Sequence, residues 1–213
     1  MAIEQTTEKA QGSRLVLFVA LLALAVDASA AFGRVFQGSR PGLRLGLAAG
    51  VGILLAVSLE RRHILLAALA SAAGMIVAVG LLVFPHTLWF GLPTLSTLRA
   101  AGRAWSLIGD TARTEVAPAR ALSPLFLAGL TAVWAASFSA HALAVRARSP
   151  FLALLPPAAL LAFPSILLSQ GARPLYVAVF LLGALLLLFG DSLRRVGQWG
   201  PVAMWQGRPH PRF

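Results

Sequence analysis

Cysteine is absent from this chain of 213 residues, and acids are scarce, with 7 Asp and Glu against 18 Lys and Arg. Without cysteine there are no disulfides, no thiolate metal ligands and no Cys nucleophile. So few acids leave no paired carboxylates for acid–base work. Charged residues of both signs make up only 12% of the chain, against about 25% in ordinary globular proteins. A chain so poor in charge cannot cover a soluble surface. Its apolar residues, 58% of the total at a mean hydropathy of +0.81, need a different solvent.

The arrangement of the apolar residues names that solvent. Residues 45–59, 63–98, 121–145, 149–172 and 174–190 carry no Asp, Glu, Lys or Arg, and residues 15–33 carry only Asp27. About 20 apolar residues at 1.5 Å rise cross the roughly 30 Å hydrocarbon core of a bilayer. The expected fold is therefore all-α: a polytopic membrane helix bundle of six spans, at about 15–32, 43–59, 64–84, 122–145, 151–169 and 175–190. The second span is short enough that a re-entrant segment, and hence five full crossings, is an alternative. Residues 1–14 read as a polar N-terminal segment and 191–213 as a poorly ordered tail. The sequence Asp27-Ala-Ser-Ala-Ala imitates a signal-peptide cleavage site, but five further spans favour an uncleaved first helix.

The long connection, 85–121, contains an amphipathic stretch at about 94–116. Leu95, Leu98, Gly102, Trp105, Ala112 and Val116 fall on one face, and Arg99, Arg103, Ser106, Asp110 and Arg113 on the other. Pro93 and Pro118 bracket it. It is expected to lie on the membrane surface or to cap the bundle. Trp89 and Phe90 precede it as interfacial aromatics.

A net charge of +11 suggests nucleic acid in a soluble protein, but no basic face with interleaved aromatics is present. The lipid bilayer is the expected partner, with basic turns meeting anionic headgroups on the cytoplasmic side. If six spans cross, ten Lys and Arg fall on one side and eight on the other. The denser clusters in the tight turns, Arg61-Arg62 and Arg146 with Arg148, favour cytoplasmic termini and an outward 85–121 connection.

Few residues are candidates for chemistry. Asp27 is the one acid inside a span, and ionised carboxylates in hydrocarbon mark functional sites by default. Arg34 lies two helical turns further on the same face and is the expected ion-pair partner. His141, in the fourth span, is expected to hydrogen-bond between helices. Gly42, Gly46 and Gly50, at four-residue spacing, mark a close-packed helix face. Pro156, Pro157 and Pro164 are expected to kink or break the fifth span. No two histidines stand at the spacing of a helical metal site, and no nucleophile elbow, phosphate loop or dinucleotide fingerprint is present. No catalytic set, cofactor site or metal site is expected.

Four stretches carry a family likeness: Gly91-Leu-Pro-Thr-Leu-Ser-Thr-Leu-Arg-Ala-Ala-Gly102, Thr114-Glu-Val-Ala-Pro118, Leu143-Ala-Val-Arg-Ala-Arg-Ser-Pro-Phe-Leu-Ala-Leu-Leu-Pro-Pro157 and Arg195-Val-Gly-Gln-Trp-Gly-Pro201. By their order and spacing, from about residue 10 to 201, the chain resembles the N-terminal membrane domain of TgpA-type bacterial transglutaminase-like proteins. The resemblance implies a bacterial plasma-membrane module followed by a further span, an extracytoplasmic domain with a Cys-His-Asp triad and another anchor. It also implies a neighbouring MoxR-type AAA+ ATPase system. This chain has no Cys, so no triad residue is carried over. The expected role is a non-catalytic anchor for a transglutaminase-like domain in cis or in trans. The competing expectation is a small transporter or channel subunit in which Asp27, His141 and the broken fifth span meet in one wet cavity.

Overall fold

The computed structural model describes residues 2–168 and 173–198. The chain is an all-α polytopic membrane bundle. Among the described residues, six helices are long and apolar enough to cross a membrane: Arg14–Val35, Arg40–Ser58, Ile64–Leu82, Ser123–Val145, Pro150–Leu167 and Pro174–Arg195. The second is a continuous helix of 19 residues, so the re-entrant alternative falls away.

Helix α1, Ala2–Phe32, begins well before the first apolar run, which starts at Leu15. The polar segment expected at 1–14 is therefore helical from Ala2 onward. Glu4, Gln5, Glu8, Lys9 and Ala10 are all good helix formers, so hydropathy locates the membrane edge and not the helix start. A 3-10 turn, Gly33–Val35, follows, and the chain reverses into α2, Arg40–Ser58, with Pro41 in its first turn. Gly38 takes φ +82 in that reversal, a conformation open to glycine at little cost. The reversal is tight because Gly33 and Gly42 meet backbone to backbone: a Cβ on Gly33 would stand 2.2 Å from Gly42 Cα.

After α3, Ile64–Leu82, two short strands, β1 (Leu88–Trp89) and β2 (Leu92–Pro93), form a hairpin. Hydroxyls hold the hairpin down. The Thr87 and Thr97 Oγ1 atoms lie 2.8 Å apart, and Thr94 Oγ1 donates to the Thr87 carbonyl at 2.8 Å. The amphipathic stretch then forms two helices, α4 (Leu95–Ser106) and α5 (Ile108–Thr114), separated at Leu107. Its faces are arranged by size. Small residues, Thr97 and Ala104, are buried against the bundle, while Leu95, Leu98, Trp105 and Val116 point outward. That is the order of a membrane-edge helix, where small residues allow close approach and large apolar ones meet lipid.

Helix α6, Ser123–Val145, is followed by α7, Pro150–Ala153, and α8, Leu155–Leu167. The expected break in the fifth span falls at Leu154. Pro156 and Pro157 open α8, where a missing N–H costs little, and Pro164 lies inside it. The end expected at Ser169 is outside the described residues. Helix α9, Pro174–Gln198, runs past the expected end at Gly190. The expected tail from Trp199 onward lies outside the described residues.

Helix α1 packs against α9, α2, α8 and α6, and α2 in turn against α6 and α3. Leu21, Leu24, Leu45, Ile53, Leu130, Val133 and Leu187 are fully buried between them. At one end the rings of Phe32, Phe36, Phe126 and Phe163 interlock, with centroids 5.4–6.4 Å apart. In lipid these contacts stabilise through close packing, because hydrocarbon surrounds the helices in either state.

Candidate functional site

Asp27 lies on α1, five residues before Phe32, and is buried. Its Oδ2 has no hydrogen-bond partner, and among the described residues no ion pair joins it to Arg34. Five residues of α-helix and two of the following 3-10 turn separate the two by roughly 11 Å of rise, too far for the side chains to meet without bending along the axis.

Arg34 instead lines a groove of about 1020 Å³ that runs beside α1 and α2. The glycine stripe faces the same groove. Gly42 is in close contact, as expected, with a Cβ there 3.4 Å from the Ala30 carbonyl oxygen. Gly46 and Gly50 are looser, with the nearest side-chain atoms at 3.7 and 3.8 Å from an added Cβ. They leave open space beside the helix as well as packing against it. The groove is roofed by Gln37, Ala117 and Pro118. That roof is fixed by a bridge from residues 35–37 to Ala119, with Gln37 N donating to Ala119 O at 2.8 Å and Gln37 Nε2 to Pro118 O at 3.0 Å.

His141 is buried on α6 and makes no hydrogen bond among the described residues, so the helix-to-helix bond expected of it is not formed. Arg146 follows five residues later, at the end of the same helix. Arg146 does the clasping there: Nη1 donates to Arg62 O at 2.9 Å and Nη2 to Leu59 O at 2.8 Å. It thereby holds the turn between α2 and α3 against the end of α6.

Asp27 and His141 do not converge. Gly129 on α6 packs against Phe32 on α1, and the two spans run in opposite directions. From that shared level Asp27 lies about 7 Å down α1 and His141 about 18 Å down α6 at 1.5 Å per residue. Neither lines the groove. Pro156, Pro157 and Pro164 do not line it either.

Two polar sites were not anticipated from the sequence. Trp134 Nε1 donates to Ser71 Oγ at 3.0 Å, joining α6 to α3 in the buried interior. The available signal was a tryptophan in mid-span, whose N–H needs a partner in lipid. Asp191, assigned by sequence to the tail, is buried in α9 and accepts from Arg194 Nη2 at 3.0 Å and Arg195 Nε at 2.7 Å. The i+3 and i+4 spacings were the signal for that pairing.

Among the described residues no three His, Asp or Glu side chains come together as a metal site. Comparison with known proteins finds no matching family model, no matching curated protein and no matching solved structure.

Proposed function

We propose that this chain is a non-catalytic integral membrane module that anchors and positions an extracytoplasmic transglutaminase-like domain supplied in cis or in trans. In this reading it sits in a bacterial plasma membrane with both termini cytoplasmic, beside a MoxR-type AAA+ ATPase system. The observation that carries the reading is the separation of Asp27 from His141. Asp27 and His141, on which the transport expectation depends, lie at different depths, and among the described residues neither lines the groove. What the bundle does build is a packed frame: interlocked phenylalanines, a clasped turn and a hairpin held by threonine hydroxyls.

Reading the DNA downstream of the Phe213 codon, and the adjacent genes, tests this proposal. It expects one more span and a domain bearing Cys, His and Asp. Neither in frame nor adjacent, the anchor would have no cargo and the proposal would fail.

A second reading, a small transporter or channel subunit, draws on one observation: the buried Asp27 Oδ2 has no partner. It expects Asp27→Asn to abolish ion uptake into vesicles while the fold is kept.

A further inference from the structure

A second cavity, of about 330 Å³, opens where α2 and α6 begin and α3 ends. Small-molecule sites span roughly 300–1,000 Å³, so it has room for a small ligand. Its floor is apolar: Leu82 and Phe126, the latter buried and held by the Phe36 ring at 5.7 Å. Gln37 forms one wall and is fixed in place by its bonds to Pro118 and Ala119. Arg40 and Arg44, four residues apart on one face of α2, line another, and Ser123 lines a third. Among the described residues no Asp or Glu lines this cavity, and neither guanidinium nor the Ser123 hydroxyl meets a hydrogen-bond or ion-pair partner. Arg40 opens the span and Arg44 lies one turn, about 6 Å, inside it. The cavity thus gathers two positive charges and a hydroxyl donor at the edge of the membrane.

From this arrangement we propose that the cavity binds a phosphomonoester, held by Arg40 and Arg44 with Ser123. Charge and oxygen count decide the class of anion. A phosphomonoester carries about 1.5–2 negative charges at pH 7 and offers three terminal oxygens. It matches two arginines, each of which donates a forked pair of charge-assisted hydrogen bonds to phosphate. The Ser123 hydroxyl is a further donor. A phosphodiester, the linkage in charged and zwitterionic phospholipids alike, carries one negative charge and two terminal oxygens. Both guanidinium forks then compete for the same two oxygens, and one positive charge stays uncompensated. The monoester comes either from a lipid whose headgroup is a bare phosphate or from a soluble phosphate ester, and both present the same group to the arginines. The proposal rests on the membrane character of the fold and stands apart from the anchor reading.

The test uses the full chain, delipidated in detergent at about pH 8, above the monoester's second pKa of roughly 6. It is titrated with phosphatidic acid or with phosphatidylglycerol of the same acyl chains and read by native mass spectrometry. One retained phosphatidic acid is expected, favoured over phosphatidylglycerol by about tenfold, as one further charge-assisted hydrogen bond would give. Arg40→Gln and Arg44→Gln, both at exposed positions, should each reduce that preference, and the double variant should abolish it. Arg99→Gln, at an exposed position of α4 outside the cavity, should keep it. Glycerol phosphate distinguishes the two sources. If the soluble ester raises the melting temperature of the natural chain and not of the double variant, the phosphate alone is recognised. A preference confined to phosphatidic acid means that the acyl chains are needed as well. Equal retention of the two lipids with no effect of glycerol phosphate would overturn the proposal. So would a preference that survives both arginine substitutions or falls equally in Arg99→Gln. Should the double variant fail to fold, the two single variants decide the matter alone.

Discussion

Trp134 and Ser71 stand 63 positions apart in the sequence and 3.0 Å apart in the structure, indole N–H to hydroxyl oxygen. Both are buried, so water cannot replace either partner. Ser71→Ala leaves the indole N–H unpaired and should destabilise the bundle by about 1 kcal/mol, within the range for helix-to-helix bonds in membranes. Trp134→Phe should cost more, because part of a large ring is lost as well. In a double-mutant cycle followed by denaturant unfolding, the pair should couple by roughly 0.6–1.7 kcal/mol. Additive costs would show that the bond contributes nothing.

Glycines that look alike in sequence should behave differently. A methyl on Gly33 would meet Gly42 Cα at 2.2 Å, whereas one on Gly46 finds its nearest neighbour at 3.7 Å. Gly33→Ala should cost about 3 kcal/mol or more, at or above the top of the usual overpacking range, because backbone must move. Gly46→Ala should change stability by less than about 0.5 kcal/mol. Thermal unfolding of the two purified variants makes the comparison.

Arg146 acts through the two carbonyls it holds, Leu59 O and Arg62 O. Arg146→Met keeps much of the aliphatic stem and removes both bonds, at a cost of about 2–3 kcal/mol for charged donors. The loss should be local. Hydrogen exchange should quicken at the amides of residues 59–63 and stay unchanged at α9.

Asp27→Asn should leave the fold intact and raise its stability by up to about 1 kcal/mol, because a buried carboxylate oxygen without a partner is costly. Thermal unfolding in detergent provides the measurement. A marked loss of stability would mean that the carboxylate has a partner in the membrane after all.

The six spans were legible because charge-free runs of membrane length have no other economical reading. The ends were less so. Hydropathy does not register Glu4 to Ala10 as helix, and it placed Asp191 outside the last span although Arg194 and Arg195 neutralise it within the helix. Of the candidate site, the four-residue glycine spacing was visible in the sequence, but the relation of Asp27 to Arg34 was not, because the chain leaves the α-helix at Phe32. The depth difference between Asp27 and His141 was not, because it depends on how α1 and α6 are registered. Which of its two expected placements α4 takes was not legible for a related reason. A pattern of large apolar residues shows which side is apolar, and only the neighbouring helices decide whether that side meets protein or lipid.

The orientation of the bundle decides on which side any attached domain would stand, and the absence of cysteine makes it directly measurable. Ala112 in the long connection and Ala147 in the turn before α7 are both exposed. Each is replaced by Cys in turn and challenged on intact cells with a maleimide that cannot cross membranes. The proposed function requires Ala112→Cys to react at once and Ala147→Cys to react only after the cells are permeabilised. The reverse pattern would put the connection in the cytoplasm and both termini outside, contradicting a module that positions its domain outside the membrane.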